Sequence, residues 1–351
     1  MTFQMKPRAK KNKKLEERQL RRKRSLQNGD NMIKNVVFMG TPDFAVGTLQ
    51  ALIASEKYQV QAVFTQPDKP KGRGKAVAMT PVKEVAVEAG IPVYQPVKIR
   101  EQEWVDKLKE LAPDVIVVVA FGQIIPKSIL TLPAYGCINV HASLLPMYRG
   151  AAPIQWAVIN GDEVSGVTTM RMDEGLDTGD MILKEIVPLE KQETGGSLFD
   201  KLSRTGAELL IRTLGAIEDG TAVYEKQPEE SPTPYAAMLT RQDGQIDWSK
   251  SASQIECLIR GMNPWPSAFT KFQGKTWKIW AADVEKETDA KAEGEKPVPG
   301  TVVEVTKKTL KIQTGDGILS VRELQLEGKK RMETDAFLRG YPMKTGEVLG
   351  N

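Results

Sequence analysis

Predicted strands alternate with segments of helical spacing from Met32 to His141. The strands include "VVFMG", "QAVFT", "VIVVVAFG" and "CINVH", and the segment after the first one places Leu49, Leu52 and Ile53 at helical intervals. Strands that are apolar along their length are buried on both faces, which is typical of a parallel sheet covered by helices. The pattern therefore predicts an α/β fold with a doubly wound, mostly parallel sheet.

The pattern changes after Asp162. Two strands, "GVTTMRMD" and "DMILKEIVPL", flank a Gly-rich turn, and a helix is predicted from about Gly196 to Gly220. A stretch rich in Pro, Glu and Ser then reads as a linker, and short strands with regular turn signals predict a small β-barrel with a solvated loop at "EKETDAKAEGEKPVPG". The predicted organisation is an extension (1–31), a first domain (32–222), a linker (223–238) and a C-terminal domain (239–351).

The positive charge is concentrated at the N-terminus. Residues 1–31 hold 11 Lys and Arg against 3 Asp and Glu, so the net charge of +4 becomes −4 over residues 32–351. Such a tail could bind a polyanion through counterion release. It could also be an extension upstream of a start at Met32, where a strand begins at once. We favour the second interpretation and expect residues 1–31 to be disordered.

The chain has few residues that could form a metal site or a disulfide. It contains two cysteines, Cys137 and Cys257, and one histidine, which together supply neither a zinc ligand set nor a disulfide framework. We expect both cysteines to be buried, no metal to be bound, and a reducing, cytoplasmic setting. We also expect neither a membrane span nor a secretory signal, because the apolar runs are short and the basic N-terminus lacks an apolar core.

The turn after the first strand, "GTPDF", resembles a dinucleotide-binding position but lacks its chemistry. A dinucleotide fingerprint needs three glycines that let backbone amides approach a pyrophosphate. Here Gly40 is followed by Thr41 and Pro42, and the proline has no amide hydrogen to donate. The sequence therefore argues against a bound dinucleotide.

The single histidine lies in "INVHASLLPMYRGAAPIQ". Asn139 and His141 are two residues apart at the carboxyl end of a predicted strand, so their side chains point to the same face. Ligands of open α/β sheets bind at that end. An asparagine amide can donate a hydrogen bond to an oxygen that gains negative charge, and a histidine can carry a proton near neutral pH. We predict that both act on a substrate.

A carboxylate partner is expected in the Gly-rich turn "RMDEGLDTGDM". The turn offers four acids, and the residues alone do not choose among them. These candidates are Asp173, Glu174, Asp177 and Asp180.

The motifs taken together resemble the folate-dependent formyltransferase family. The resemblance rests on "FMGTPDFAV", "TQPDKPKGRG", "NVHASLLPMYRGAAPIQWAV", "GLDTGDM" and "GMNPWPSAF", and it extends from Met32 to about Gly340. It implies a Rossmann-like first domain, an OB-like barrel as the second, and the catalytic set Asn139, His141 and Asp177. The residues implied for folate binding are Ser143, Leu144, Leu145, Pro146, Gln123, Ile124 and Ile125.

The resemblance also implies the substrates. The formyl donor would be 10-formyltetrahydrofolate, and the acceptor would be the amino group of methionine on initiator tRNA. The basic loop "DKPKGRGK" resembles an inserted loop that reaches the tRNA, with Lys69, Lys71, Arg73 and Lys75 as candidate contacts, and the C-terminal barrel resembles a tRNA-binding domain. We expect a monomer with no membrane partner.

Other acceptors remain open at this point. A formyltransferase that acts on an amino sugar nucleotide, a purine precursor or another small amine would share the Asn–His–Asp set. A formyl-folate hydrolase would replace the amine by water, and a noncatalytic RNA-binding protein would keep the fold alone. The basic loop and the "NPWPSAF" segment favour tRNA.

Overall fold

The first sheet has the α/β arrangement that the alternation predicts, and it consists of seven strands. The computed structural model describes residues 32–71, 76–285 and 296–350. The strands of its first part are β1 (Asn35–Gly40), β2 (Gln59–Phe64), β3 (Lys69–Lys71), β4 (Ala76–Ala78), β5 (Val93–Tyr94), β6 (Val115–Val119), β7 (Cys137–His141), β8 (Val164–Arg171) and β9 (Asp180–Pro188). The sheet has the order β5-β2-β1-β6-β7-β8-β9. The pairs from β5 to β7 are parallel, and β8 runs antiparallel to β7. The predicted mostly parallel sheet is confirmed.

Helices connect the parallel strands of the first sheet, and further helices lie in the rest of the chain. Those of the described residues are α1 (Val46–Ala54), α2 (Pro81–Glu88), α3 (Gln102–Leu111), α4 (Lys127–Leu130), α5 (Pro153–Ile159), α6 (Gly195–Glu218), α7 (Ala252–Gly261) and α8 (Thr334–Gly340), with 3₁₀ turns at Asp43–Ala45 and Gln242–Gly244. Every residue of β6 and β7 is buried. This burial explains why β6 consists of valine and isoleucine alone, since both of its faces pack against apolar groups.

The strand order reverses between β1 and β6, so the loops that follow these two strands flank the sheet's switch point. The loops are tied together there. The Thr41 hydroxyl donates to the Phe121 carbonyl at 3.0 Å, and the Gln66 side chain donates to the Gly122 carbonyl at 2.9 Å. Gly122 has φ +80°, which glycine adopts without strain. A Cβ there would also lie 2.5 Å from the Gln66 amide nitrogen, so both the backbone angle and the available space favour glycine.

The C-terminal strands form a second, antiparallel sheet. They are β10 (Ala268–Phe272), β11 (Lys275–Glu285), β12 (Val302–Val305), β13 (Leu310–Gln313), β14 (Ile318–Leu326) and β15 (Met332–Glu333). Their order is β10-β11-β14-β13-β12, with β15 beside β14. The predicted strand-rich C-terminal domain is confirmed. Among the described residues, no strand pairing joins β10 to β12, so the hydrogen bonds leave the sheet open. This arrangement is compatible with the predicted barrel.

The chain divides into two compact units. The first consists of the described residues from Met32 to Leu145, Val167–Glu185 and Ser203–Glu230, and the second consists of Pro146–Gly166, Ile186–Leu202 and the described residues from Ser231 to Gly350. The predicted boundaries at 222/223 and 238/239 stay predictions. Within the described ranges, no helix combines the length and apolar character that crossing a membrane requires.

Some expectations differ from the structure or lie beyond it. Cys137 is buried as predicted, whereas Cys257 is partly exposed, so that prediction was wrong for the second cysteine. The hairpin β3–β4 was not predicted, because a Lys-, Pro- and Gly-rich segment lacks strand alternation. The extension 1–31 and most of the predicted solvated loop, residues 286–295, lie outside the described residues.

Candidate active site

Strand β7 carries the first two candidate side chains. Asn139 pairs across the sheet with Met170 of β8, and His141 pairs with Thr168. Both residues are buried, with 7% and 6% of their surfaces exposed. Because alternate residues of a strand face the same side, the carboxamide and the imidazole stand side by side at the carboxyl end of β7.

The turn between β8 and β9 brings a carboxylate to this pair. The Asn139 side-chain amide donates to Asp177 Oδ1 at 3.5 Å, and His141 Nδ1 lies 3.7 Å from Asp177 Oδ2. One carboxylate thus faces both residues, with a different oxygen toward each. Its side chain is 21% exposed, so the group lies at the border between protein and solvent. The structure brings together the three residues that the resemblance implies.

Two of the other three acids of the turn, Asp173 and Glu174, have partners of their own. The Asp173 carboxylate accepts hydrogen bonds from the Gly175 amide at 3.0 Å and from the Thr178 hydroxyl at 2.8 Å, which shapes the turn itself. Glu174 pairs with Lys127 at 2.5 Å, and the hydrogen bond that the ammonium donates to this carboxylate raises the pKa of the lysine. Asp180 is already the first residue of β9.

The turn has an unusual backbone at the candidate carboxylate. Asp177 has φ +55°, in the left-handed region that residues with a side chain seldom adopt. Two residues later, a Cβ on Gly179 would lie 2.0 Å from the Arg171 carbonyl oxygen, so only glycine fits against the end of β8. These two constraints fix the path of the chain on either side of Thr178.

The segment Ser143 to Pro146 follows His141 directly. The Thr168 hydroxyl donates to the Ser143 carbonyl at 2.7 Å and accepts from the Leu145 amide at 3.0 Å. Ser143 and Leu145 are buried, and Leu144 and Pro146 are partly exposed. Thr168 therefore holds this turn, a role that the sequence did not single out.

The loop after β6 places its three candidate residues differently. The Gln123 side chain accepts from the Ile99 amide at 2.7 Å and donates to the Pro96 carbonyl at 2.9 Å, so it joins this loop to the segment before α3. Ile125 is buried in the core, and Ile124 is 76% exposed. The exposed isoleucine and the loop backbone are the parts of this segment that a ligand could contact.

The candidate tRNA-binding loop is described in part. Lys69 is exposed at the base of the hairpin β3–β4, with its ammonium group 3.4 Å from Gln66 Oε1. Lys71 pairs with Ala76 through the backbone. The candidates Arg73 and Lys75 lie outside the described residues.

Sequence reasoning also missed Gln227. Its buried side chain contacts the turn that carries Asp177, although the residue lies in a stretch whose composition predicted a solvated linker. The one available signal was a neutral amide among exposed charged residues, which is too common to be informative.

The site offers hydrogen-bond donors and a carboxylate. Burial raises the pKa of the Cys137 thiol to about 12, so this cysteine stays protonated and unreactive near neutral pH. Within the described ranges, no cluster of His, Cys, Asp and Glu has the arrangement of a metal site. An amide donor beside an imidazole suits a reaction in which an oxygen gains charge and an amine loses a proton.

The doubly wound sheet and the amide–imidazole–carboxylate set at the carboxyl ends of its strands are typical of an α/β enzyme. Sequence models of two domain families match the chain: Formyl transferase over residues 34–214, and Formyl transferase, C-terminal domain, over residues 238–342. The chain belongs to the formyl transferase family.

Relatives at higher identity share one name. A methionyl-tRNA formyltransferase of Agathobacter rectalis is 58% identical over 90% of this chain and 99% of its own length. A methionyl-tRNA formyltransferase of Clostridioides difficile is 54% identical over the same shares. Among solved structures, an N-formyltransferase from Helicobacter canadensis in complex with folinic acid and dTDP-3-aminofucose has a TM-score of 0.60 at 19% identity, covering 86% of this chain and all of that one. This last likeness concerns the fold.

Proposed function

We propose that the chain transfers the formyl group of 10-formyltetrahydrofolate to the amino group of methionine on initiator tRNA. The product is N-formylmethionyl-tRNA, which is used to initiate translation. The proposal rests chiefly on the 58% identity, over nearly the whole length of the relative, with a protein named for this activity. Asn139, His141 and Asp177 lie together at the carboxyl end of β7, which supports the proposal, since acyl transfer to an amine needs hydrogen-bond donors and a proton carrier.

Asn139 and His141 would act on the formyl oxygen. When an amine attacks an acyl carbon, negative charge develops on the acyl oxygen, and a preorganised donor lowers the barrier to that step. The Asn139 amide and the imidazole of His141 are such donors at the end of β7. Their burial strengthens this effect, because few waters compete for the developing charge.

Asp177 would orient the other two side chains and handle the proton. Its two carboxylate oxygens face Asn139 and His141 separately, which favours one rotamer of each. The attacking amine must lose a proton and the departing folate nitrogen must gain one. A partly exposed carboxylate can relay that proton through a water molecule.

The folate would bind along the carboxyl ends of the strands, beside these residues. The turn from Ser143 to Pro146 and the loop from Gln123 to Ile125 both follow strands that end there. The turn is held by Thr168 and the loop by Gln123, so their backbone groups are fixed before a ligand arrives. Fixed backbone donors and acceptors suit a flat, polar heterocycle such as a pteridine.

The tRNA would contact local positive charge rather than the whole protein, because residues 32–351 carry a net charge of −4. The hairpin β3–β4 follows β2 at the same edge of the sheet and carries Lys69 at its base. We propose that this hairpin and the C-terminal domain bind the acceptor. Since translation takes place in the cytoplasm, we expect the enzyme to work there, as a monomer.

The experiment that tests the function compares acceptors under a single folate donor. Purified protein receives 10-formyltetrahydrofolate with methionyl initiator tRNA, with the same tRNA uncharged, or with a nucleotide-linked amino sugar. We expect formylation of the charged tRNA alone. Preferred formylation of the amino sugar would support the alternative acceptor, and donor hydrolysis without an acceptor would indicate a hydrolase.

A further inference from the structure

Gln227 is the buried residue of an otherwise exposed segment. The residues from Val223 to Glu230 are exposed apart from Gln227, which has 6% of its surface exposed. The segment is attached to β9 by a backbone bridge, in which Glu225 and Met181 exchange two hydrogen bonds of 2.8 Å. The bridge fixes the segment's register without using a side chain. The burial of Gln227 therefore calls for a separate reason.

The Gln227 side chain reaches the turn that carries the candidate carboxylate. Its amide nitrogen donates to the Asp177 carbonyl at 2.9 Å and to the Gly179 carbonyl at 2.8 Å. A glutamine amide has two N–H donors, and here each one has a carbonyl to receive it. The two acceptors lie on either side of Thr178, so this one side chain spans the bend of the turn.

The direction of the Asp177 carboxylate depends on the backbone that this amide holds. Asp177 has φ +55°, a conformation that residues with a side chain seldom adopt and that contacts with the surrounding chain help to hold. Rotation to an ordinary φ would change the direction of its carboxylate relative to β7. The distances of 3.5 Å to Asn139 and 3.7 Å to His141 are already long for polar contacts, so a small displacement would end them.

We propose that Gln227 is a positioning residue for the transfer reaction. Its side-chain amide holds the backbone carbonyls of Asp177 and Gly179, and thereby sets the direction in which Asp177 faces Asn139 and His141. This inference rests on the proposed function and extends it to a residue that acts only through Asp177.

The test replaces the amide by a side chain of similar length without donors. Gln227→Met keeps the shape and removes both hydrogen bonds, and it is measured alone and in an Asp177→Asn background. We expect Gln227→Met alone to lower kcat by roughly 10²-fold, the size of effect that a 1 Å misplacement produces. The KM values for folate and for tRNA should change by less than about 3-fold, because binding residues are untouched. In the Asp177→Asn background we expect a further loss of less than about 3-fold, since the group that Gln227 positions has gone.

A matched control and a second variant keep the test decisive. Gln102→Met removes a glutamine amide from the exposed side of α3 and should leave kcat and KM unchanged. Gln227→Asn retains the amide but draws it back by one methylene; if the methionine variant does not fold, this variant is measured in the same two backgrounds.

The outcomes separate the inference from the proposed function. Equal losses in both backgrounds, or a loss confined to KM, would overturn the positioning role while the formyl transfer activity stands. Wild-type turnover by Asp177→Asn alone would overturn both the positioning role and the assignment of the carboxylate.

Discussion

At the scale of single residues, the two donors on β7 should carry most of the chemistry. We expect His141→Ala and Asn139→Ala each to lower kcat by about 10²–10³-fold, the usual cost of removing one donor to a developing oxyanion. Steady-state kinetics with a melting curve for each variant measures this. Near-normal turnover by His141→Ala would reject its role.

The residue scale also shows where sequence reasoning reached its limit. Asn139 and His141 could be found from strand periodicity, because two residues in strand spacing share a face wherever the strand lies. Asp177 could not be chosen among four acids without the resemblance, since the choice depends on a left-handed backbone angle. Gln227 could not be found at all, because its partners are backbone carbonyls some 50 residues away.

At the scale of elements, a small polar network fixes α2 to the segment that precedes the hairpin. The Asp68 carboxylate accepts from the Lys83 ammonium at 2.5 Å and from the Gln95 amide at 2.7 Å. These hydrogen bonds, that of Lys83 first, lower the pKa of Asp68. A depressed carboxyl pKa stabilises the fold above the unfolded pKa, about 3.9, and this stabilisation is lost as the pH falls through the folded value.

Asp68→Asn should therefore destabilise the protein in a pH-dependent way. At pH 7 we expect a loss of about 0.5–1 kcal/mol in the free energy of unfolding, a modest value because the pair is partly exposed to solvent. The difference from wild type should shrink as the pH falls below about 4. Urea unfolding at a series of pH values measures it, with Asp106→Asn on the exposed side of α3 as the control. A difference that stays constant with pH would contradict the linkage.

The basic loop "DKPKGRGK", which includes strand β3 of the hairpin, should affect one substrate only. We expect Lys69→Ala and Arg73→Ala to raise the KM for tRNA and leave the KM for folate unchanged. Each phosphate that a variant no longer neutralises should also reduce the slope of log K against log salt by roughly 0.7–0.9. Lys109→Ala, which removes a lysine from α3, is the matched control. Equal rises in both KM values would show that the hairpin is a structural element.

Most long strands were predictable, because a strand that is buried on both faces is apolar at nearly every position. β6 and β7 are examples, and the helix expected at about 196–220 spans Gly195–Glu218. The short helices α4, α5 and α8 were missed. Four to seven residues contain too few turns to show a helical period.

At the scale of the whole molecule, the described hydrogen bonds near the N-terminus begin at Ile33. Its backbone amide donates to the Glu218 carboxylate at 2.8 Å, and the Asp114 carboxylate accepts from the amides of Lys34 and Asn35 at 3.0 and 2.6 Å. Glu218 also pairs with Lys57 at 2.6 Å. Two buried carboxylates, those of Glu218 and Asp114, therefore hold the start of β1.

Removal of residues 1–31 should accordingly leave the enzyme intact. A variant that starts at Met32 loses a net charge of +8 and none of these attachments, so we expect an unchanged melting temperature and an unchanged kcat. The KM for tRNA distinguishes the two interpretations of the tail. If the tail binds RNA, its removal raises this KM at low salt and flattens the salt dependence by roughly 0.7–0.9 for each phosphate that the tail had neutralised. If the tail is only an extension upstream of the start, the two salt curves coincide. Glu218→Ala serves as the contrast, because it removes the acceptor of the Ile33 amide and should lower the melting temperature whether or not the tail is present.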